Sequence, residues 1–310
     1  MYAKRRQFLN TLAVISASPL LTSFKNQEKK SFNFPISCNA YNWFTFYGRQ
    51  NKKWGEDLDK CMADLAQTGI TAYEPGLESA EEVRKLAPFL KKYNLSMPSV
   101  YVNSVLHKAD EAEKSIATVL SIADEVVKLG TKIVVTNPSP IKWGGPELKN
   151  DAELSVQAKS MEKLGIELKK KGLTLAYHTH DVELRAGARE FHHVLQNTSP
   201  ENVSFCFDIH WVYRGSADSQ VAVFDVLKMY GSRVVELHIR QSVNGIWSET
   251  FGAGDIDYQR FANELKTLKM RPHLVIEQCV EAKTPNTMDG KQAHIKDLAM
   301  IKEVFKPILG

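Results

Sequence analysis

Apolar runs with strand character alternate eight times with segments of helical period along this chain, and no other feature restricts its architecture as severely. The strand-like runs fall at 34–40, 70–75, 95–101, 131–137, 173–179, 203–208, 233–239 and 273–279. Helical patterns near 56–68, 79–93, 109–129, 151–170, 188–196, 219–230, 258–268 and 291–305 lie between and after them. Eight βα units in about 280 residues predict an α/β chain folded as a single (β/α)8 TIM barrel, with 31–310 as its one domain. Gly69, Gly130, Gly172 and Gly231 stand where helices should stop before the next strand.

A barrel of this kind builds its site from residues at the C-terminal ends of the strands. In LTLAYHTHDVE (173–183), alternation sends Leu173, Leu175 and Tyr177 to one face, and Thr174, Ala176, His178 and His180 to the other. The sixth run, VSFCFDIHW, places Ser204, Cys206, Asp208 and His210 inward. In the seventh, RVVELHIRQ, Val235, Leu237 and Ile239 point outward and Val234, Glu236, His238 and Arg240 inward, while the eighth turns Glu277 inward. Four consecutive strands therefore end in His178, Asp208, His238 and Glu277, spaced by 30, 30 and 39 residues, about one βα unit each. Two imidazoles and two carboxylates on one rim suit a divalent transition metal with open coordination positions. Unpaired and buried, the carboxylates would be costly, and a cation accounts for them.

Charge and cysteine content narrow the function classes. Lys4, Arg5, Arg6, Lys25, Lys29 and Lys30 face only Glu28 in the first 30 residues; without that segment 34 basic residues stand against 35 acidic. A near-neutral body gives no electrostatic case for nucleic acid as a partner. Residues 1–30 resemble a twin-arginine export signal: KRRQFLN precedes an apolar run, 12–21, too short to span a bilayer. The expected location is periplasmic, with no stable membrane insertion after processing. Cys38, Cys61, Cys206 and Cys279 are too widely spaced for a disulfide framework or a zinc knuckle, and are expected as buried core residues.

The motifs PSVYVNSVLH, YHTHDVE, FDIHWVYRGSAD, ELHIRQS, GAGDIDY and LVIEQC are similar to those of the xylose-isomerase-like TIM barrels, a family of sugar isomerases and epimerases that includes inosose dehydratases and endonuclease IV. The resemblance covers roughly 34–305. It implies one divalent ion, manganese first and cobalt, nickel or zinc as alternatives, held by His178, Asp208, His238 and Glu277. It also implies a small-molecule carbohydrate substrate, and a homo-oligomer is compatible with it. Ketose epimerases of the family carry glutamate where this chain has His178, and the HxH pattern is closer to the inosose dehydratase branch. A usual Lys-Asp after the seventh-strand histidine is here Arg240-Gln241.

The implied reaction is metal-dependent isomerisation or epimerisation of an unphosphorylated keto-sugar or glycoside, begun by removing a proton next to a carbonyl. The alternative is a dehydratase or lyase acting by β-elimination or hydration on keto-sugars or 3-keto-glycosides. An endonuclease IV-like phosphodiesterase would need more ligands and a basic groove. Glu277 or His180 is the expected base, with Glu183 or Glu74 in support. His107, Asn137, Trp143, His210, Trp211 and Arg240 are the expected substrate-binding residues, because Trp faces and Arg forks suit sugar rings and hydroxyls. Trp247 and Glu249 fall in a glycine-containing loop expected to cover the site.

Overall fold

The computed structural model describes residues 33–309; the export segment expected at 1–30 lies outside the described residues. The strands are β1 (Ser37–Asn39), β2 (Ala72–Glu74), β3 (Ser99–Tyr101), β4 (Ile133–Thr136), β5 (Thr174–Tyr177), β6 (Val203–Asp208), β7 (Val234–Ile239) and β10 (His273–Ile276), with a small hairpin of β8 (Ser242–Val243) and β9 (Ile246–Trp247) between the last two. The eight long-range strands form one parallel sheet in the order β2-β1-β10-β7-β6-β5-β4-β3. Its two ends meet through backbone bonds: Tyr73 N donates to Ser96 O, Leu77 N to Tyr101 O and Tyr101 N to Pro75 O, each at 2.9 Å. Among the described residues the eight-stranded sheet closes on itself, and the chain is the (β/α)8 barrel that the alternation predicts.

Two layers of side chains explain the strands. Leu175, Tyr177, Phe205, Phe207, Leu237, Ile239, Leu274 and Ile276 face outward into the main core beneath the helices. Inside the barrel, Ile133, Val135, Ala176, Cys206 and Val235 form a compact plug, as expected where eight strands leave room only for side chains. Val235 corrects the simple alternation, which sends it outward. Phe205 pairs with Val234 and Cys206 with Glu236, so Val235 is an extra residue in a bulge. The bulge resets the phase of β7 and puts Val235, with Glu236 and His238 above it, on the inside. All four cysteines are buried and free. No helix among the described residues is long and apolar enough to cross a membrane.

Helix starts are fixed locally. The helix Asp151–Lys170 opens on a capping box between Asn150 and Glu153, and Gly290–Val304 on one between Asp289 and Gln292. Within Asp151–Lys170, Gly165 lies against the backbone of Asn202, where a Cβ would collide with the carbonyl oxygen. A mid-helix glycine is normally weaker than alanine, so contact with the α–β connection accounts for its presence. Gly165→Ala should therefore destabilise the fold by about 1–3 kcal/mol, read as a lower urea midpoint; a raised midpoint, the usual result in a helix, would contradict this packing.

Candidate metal and active site

The polar side chains gather at the C-terminal rim. A cavity of about 330 Å3 at the opposite mouth, lined by Thr174, Ser204, Arg233, Val235 and Arg271 among others, contains none of them. His178 follows β5 directly and extends its ladder, with its N–H donating to Thr136 O at 2.9 Å. Asp208 closes β6 and caps the short helix Ile209–Gly215: Oδ1 accepts from Trp211 N at 2.7 Å. The capping role leaves Oδ2 free to point at His178 Nε2, 3.4 Å away. His238 stands on β7, and Glu277, one residue past β10, reaches its Nδ1 at 3.0 Å. One ligand atom from each of the four lies within 4.8 Å of the others, and all four residues are buried.

Beneath this corner a second polar layer fixes the histidines. Tyr101 OH contacts His178 Nδ1 at 3.3 Å, which leaves Nε2 for the corner. His238 Nε2 faces Glu74 Oε2 at 3.1 Å and Glu236 Oε1 at 3.3 Å. Glu74 is held in turn by Asn39 Nδ2 at 2.6 Å and Ser99 Oγ at 3.1 Å. A carboxylate behind a ligand histidine sets its tautomer and raises its basicity. Glu74, expected among the acid–base groups, here contacts His238, Asn39 and Ser99. Glu236 has partners the sequence did not disclose: His238 and the Cys206 thiol, whose Sγ is 3.6 Å from Oε1.

Burial and mutual charge set the protonation of the corner. Burial, reinforced by the His238 charge, pushes His178 down to about 3, so its nitrogen lone pair is available. Burial raises Asp208 well above the usual carboxylate range, with the Glu277 charge adding to the shift. Glu277 goes the other way: burial opposes its ionisation, but Arg240 and His238 outweigh it and hold it well below. His238 is likewise opposed by burial, yet the surrounding acidic groups Cys206, Glu74 and Glu277 keep it protonated. Burial and the Glu74 charge push Glu236 up to about 8. Among the described residues, His178 Nε2 and Asp208 Oδ2 have no hydrogen-bond partner. Buried, orphaned and convergent, they fit a divalent ion with borderline-soft preference.

Aromatic groups wall the rim. His180 lies 4.9 Å from His178, ring to ring, and is flanked by Trp143 and Trp211, each at 5.3 Å. Trp143 is half in solvent, so the site meets water on this side. Glu183 is buried; its Oε2 accepts from His180 N at 2.8 Å and its Oε1 from Asn137 Nδ2 at 3.0 Å. Arg240 is buried between Trp247, 4.2 Å from its guanidinium, and Trp211, at 5.2 Å. His210, in the first turn after Asp208, is fully buried beside them. His107 stands apart: burial lowers it, and the charges acting on it are Lys149, Glu153, Lys108 and Glu190, none from the corner.

The covering loop after β7 is a fixed roof. Asn244 and Gly245 make the two-residue turn between β8 and β9, both with positive φ. Asp255 accepts from Ser242 Oγ and from the N–H groups of both turn residues. Glu281 accepts from Trp247 N at 2.8 Å and pairs with Arg214, while Gln278 and Gln241 tie the loops after β10 and β7 together. Glu249 accepts from Thr287 and Met288 and braces the same two loops. The contacts of Tyr101 and Glu74 with the two histidines, and the hairpin, are the parts that strand-tip reasoning missed; the Asn-Gly pair was a local signal for the last.

The family described as xylose isomerase-like TIM barrel matches residues 62–304. Inosose dehydratase from Clostridium perfringens is 24% identical over 251 residues, which is 71% of this chain and 82% of that protein. A sugar phosphate isomerase/epimerase from Parabacteroides distasonis superposes with a TM-score of 0.66 at 17% identity, covering 96% of this chain and 100% of the other. A xylose isomerase-like TIM barrel protein from Mycobacterium smegmatis, solved in complex with magnesium, gives 0.66 at 13% identity over 89% of this chain and 98% of its own. At these identities the two structures speak for the fold.

Two results should follow from the corner. Because Asp208 and His238 hold protons that a cation must displace, divalent-metal affinity should rise with pH and the heat of binding should depend on the ionisation enthalpy of the buffer; a buffer-independent heat would contradict the protonation states. Glu74→Gln should weaken metal binding by about 10–100-fold in the same titration; unchanged affinity would show that His238 needs no partner below.

Proposed function

The chain belongs to the xylose isomerase-like TIM barrel family, and on that premise we propose that it is a divalent-metal-dependent isomerase or epimerase of unphosphorylated keto-sugars or their glycosides. The observation that carries the reading is the buried convergence of His178, Asp208, His238 and Glu277 on one point of the rim. Those four residues would hold the ion, whose Lewis acidity would ease loss of a proton next to a carbonyl. Manganese is the first choice, with cobalt, nickel or zinc as alternatives, because two of the ligands are imidazoles.

Proton transfer falls to the β5 side. Burial keeps His180 neutral, down to about 3, which makes it a weak base. Burial, with the Glu190 charge, raises Glu183 to about 7, where a carboxyl exchanges protons readily at neutral pH. Glu183 is therefore our choice of general base, with Asn137 and the His180 N–H holding its carboxylate. Return of the proton to the other face of the same carbon is epimerisation, and return to the neighbouring carbon is isomerisation. Loss of a β-oxygen is dehydration, and the curated relatives bearing the name inosose dehydratase favour it as the second reading. The wall of Trp143, Trp211 and His180 suits a sugar ring.

We further propose that the protein acts outside the cytoplasm, on the strength of Arg5-Arg6 and the apolar run that follows. Replacing both arginines by lysine should leave the full-length chain in the cytoplasm; unchanged export would remove this assignment.

Metal-loaded protein incubated in D2O with free ketoses and 3-keto-glycosides should place deuterium at a sugar carbon, and the products separate isomer from eliminated enone. Activity should rise with pH through about 7 as Glu183 ionises, and Glu183→Gln should abolish that limb along with most of the rate. Turnover confined to phosphodiesters, without exchange into any sugar, would refute the reading.

A further inference from the structure

We infer that Arg240 is a catalytic residue of this site: its fixed guanidinium takes up the negative charge that develops on the substrate's carbonyl oxygen as the adjacent proton leaves. This rests on the enolisation reading above and assigns a role that the strand-tip ligands do not cover.

Arg240 is locked before any ligand arrives. Its Nε donates to Glu277 O at 2.9 Å, and its backbone N and O both bond the Tyr258 hydroxyl, at 3.3 and 2.5 Å. Trp247 lies against the guanidinium, and Trp211 lies 5.2 Å from it. Nη2 stands 3.0 Å from Glu277 Oε2 and 3.7 Å from Asp208 Oδ2, beside two of the four proposed ion ligands. Nη1, by contrast, has no partner among the described residues, although the side chain is fully buried.

That combination is unusual. A guanidinium offers five N–H donors in a rigid fork; here Nε donates to Glu277 O and Nη2 pairs with the Glu277 carboxylate, which leaves the Nη1 donors free among the described residues. Leaving buried charged donors without acceptors is costly, so a protein that does it at the edge of a site leaves room for an acceptor brought by the substrate. His210, also fully buried, has neither ring nitrogen bonded among the described residues and lies against the same Trp247. The proposed base, Glu183, is on the β5 side; the permanently charged donor is on the β7 side.

The division of labour balances. The β5-side base removes the proton from the carbon next to the carbonyl; the C–H electron pair becomes the new C=C bond, and the carbonyl π pair moves onto oxygen. Arg240 N–H groups donate to that oxyanion without giving up a proton, and return of the proton to carbon reverses the shift. No oxidant, reductant or further reactant is required. A donor aimed at developing charge in a water-poor site acts on the transition state more than on the bound sugar.

Titration calorimetry on metal-loaded protein tests this with two ligands, a sugar hydroxamate, planar and anionic like the enediolate, and the matching neutral polyol. Arg240→Met should weaken the hydroxamate on the order of 10²–10³-fold while changing the polyol little, and Arg240→Lys should recover part of the loss. Metal content and circular dichroism are checked on each variant; if Arg240→Met does not fold or load, the lysine variant carries the comparison and should still lose hydroxamate selectively. Equal losses for both ligands, or none, would overturn the clamp alone. Wild-type protein that bound neither would overturn the enolisation reading and this inference with it.

Discussion

Two carboxylates and two imidazoles are held at one corner of this barrel where water does not reach them, and much of the local structure exists to make that tolerable. Asp208 spends one oxygen on a helix cap and keeps the other for the corner. His178 is oriented by a tyrosine and His238 by a glutamate. Because burial holds one carboxyl protonated and Arg240 holds the other ionised, the corner is neutralised without a cation but poised to exchange protons for one.

The barrel separates stability from chemistry along its own axis. The lower interior is apolar, with Ile133, Val135, Ala176, Cys206 and Val235 interlocked. Above it comes a layer of orienting groups, Glu74, Glu236 and Tyr101, then the four convergent residues. The roof of Trp247, Arg214 and Glu281 is fixed by hydrogen bonds to two loops. A fixed roof covers the β6–β10 side, whereas Trp143, beside His180 on the β5 side, is half in solvent. Rigidity there favours a site whose donors are in place before the reaction needs them.

Much of this was legible from pattern alone. Each strand tip lies one βα unit from the next, so equivalent positions could be compared, and the four residues so chosen do converge. The phase of β7 was not legible: a bulge adds one residue without altering composition, so alternation assigned Val235 to the wrong face. Glu74 could be placed at a strand end but not assigned its partner, since His238 lies on β7, far away in sequence and not on a strand next to β2. The burial of Glu183 was not legible, since its contact with Asn137 joins the loop after β4 to the turn after β5. The Asn244-Gly245 pair is a local hairpin signal set within a longer glycine-containing loop.

The central claim is that His178, Asp208, His238 and Glu277 together bind one divalent ion. Crystals grown with manganese and measured at its absorption edge test it most directly. The account predicts a single strong anomalous peak per chain, about 2.0–2.3 Å from a nitrogen or oxygen of each of the four residues. A peak elsewhere, or none at the corner in protein saturated with the ion, would contradict it.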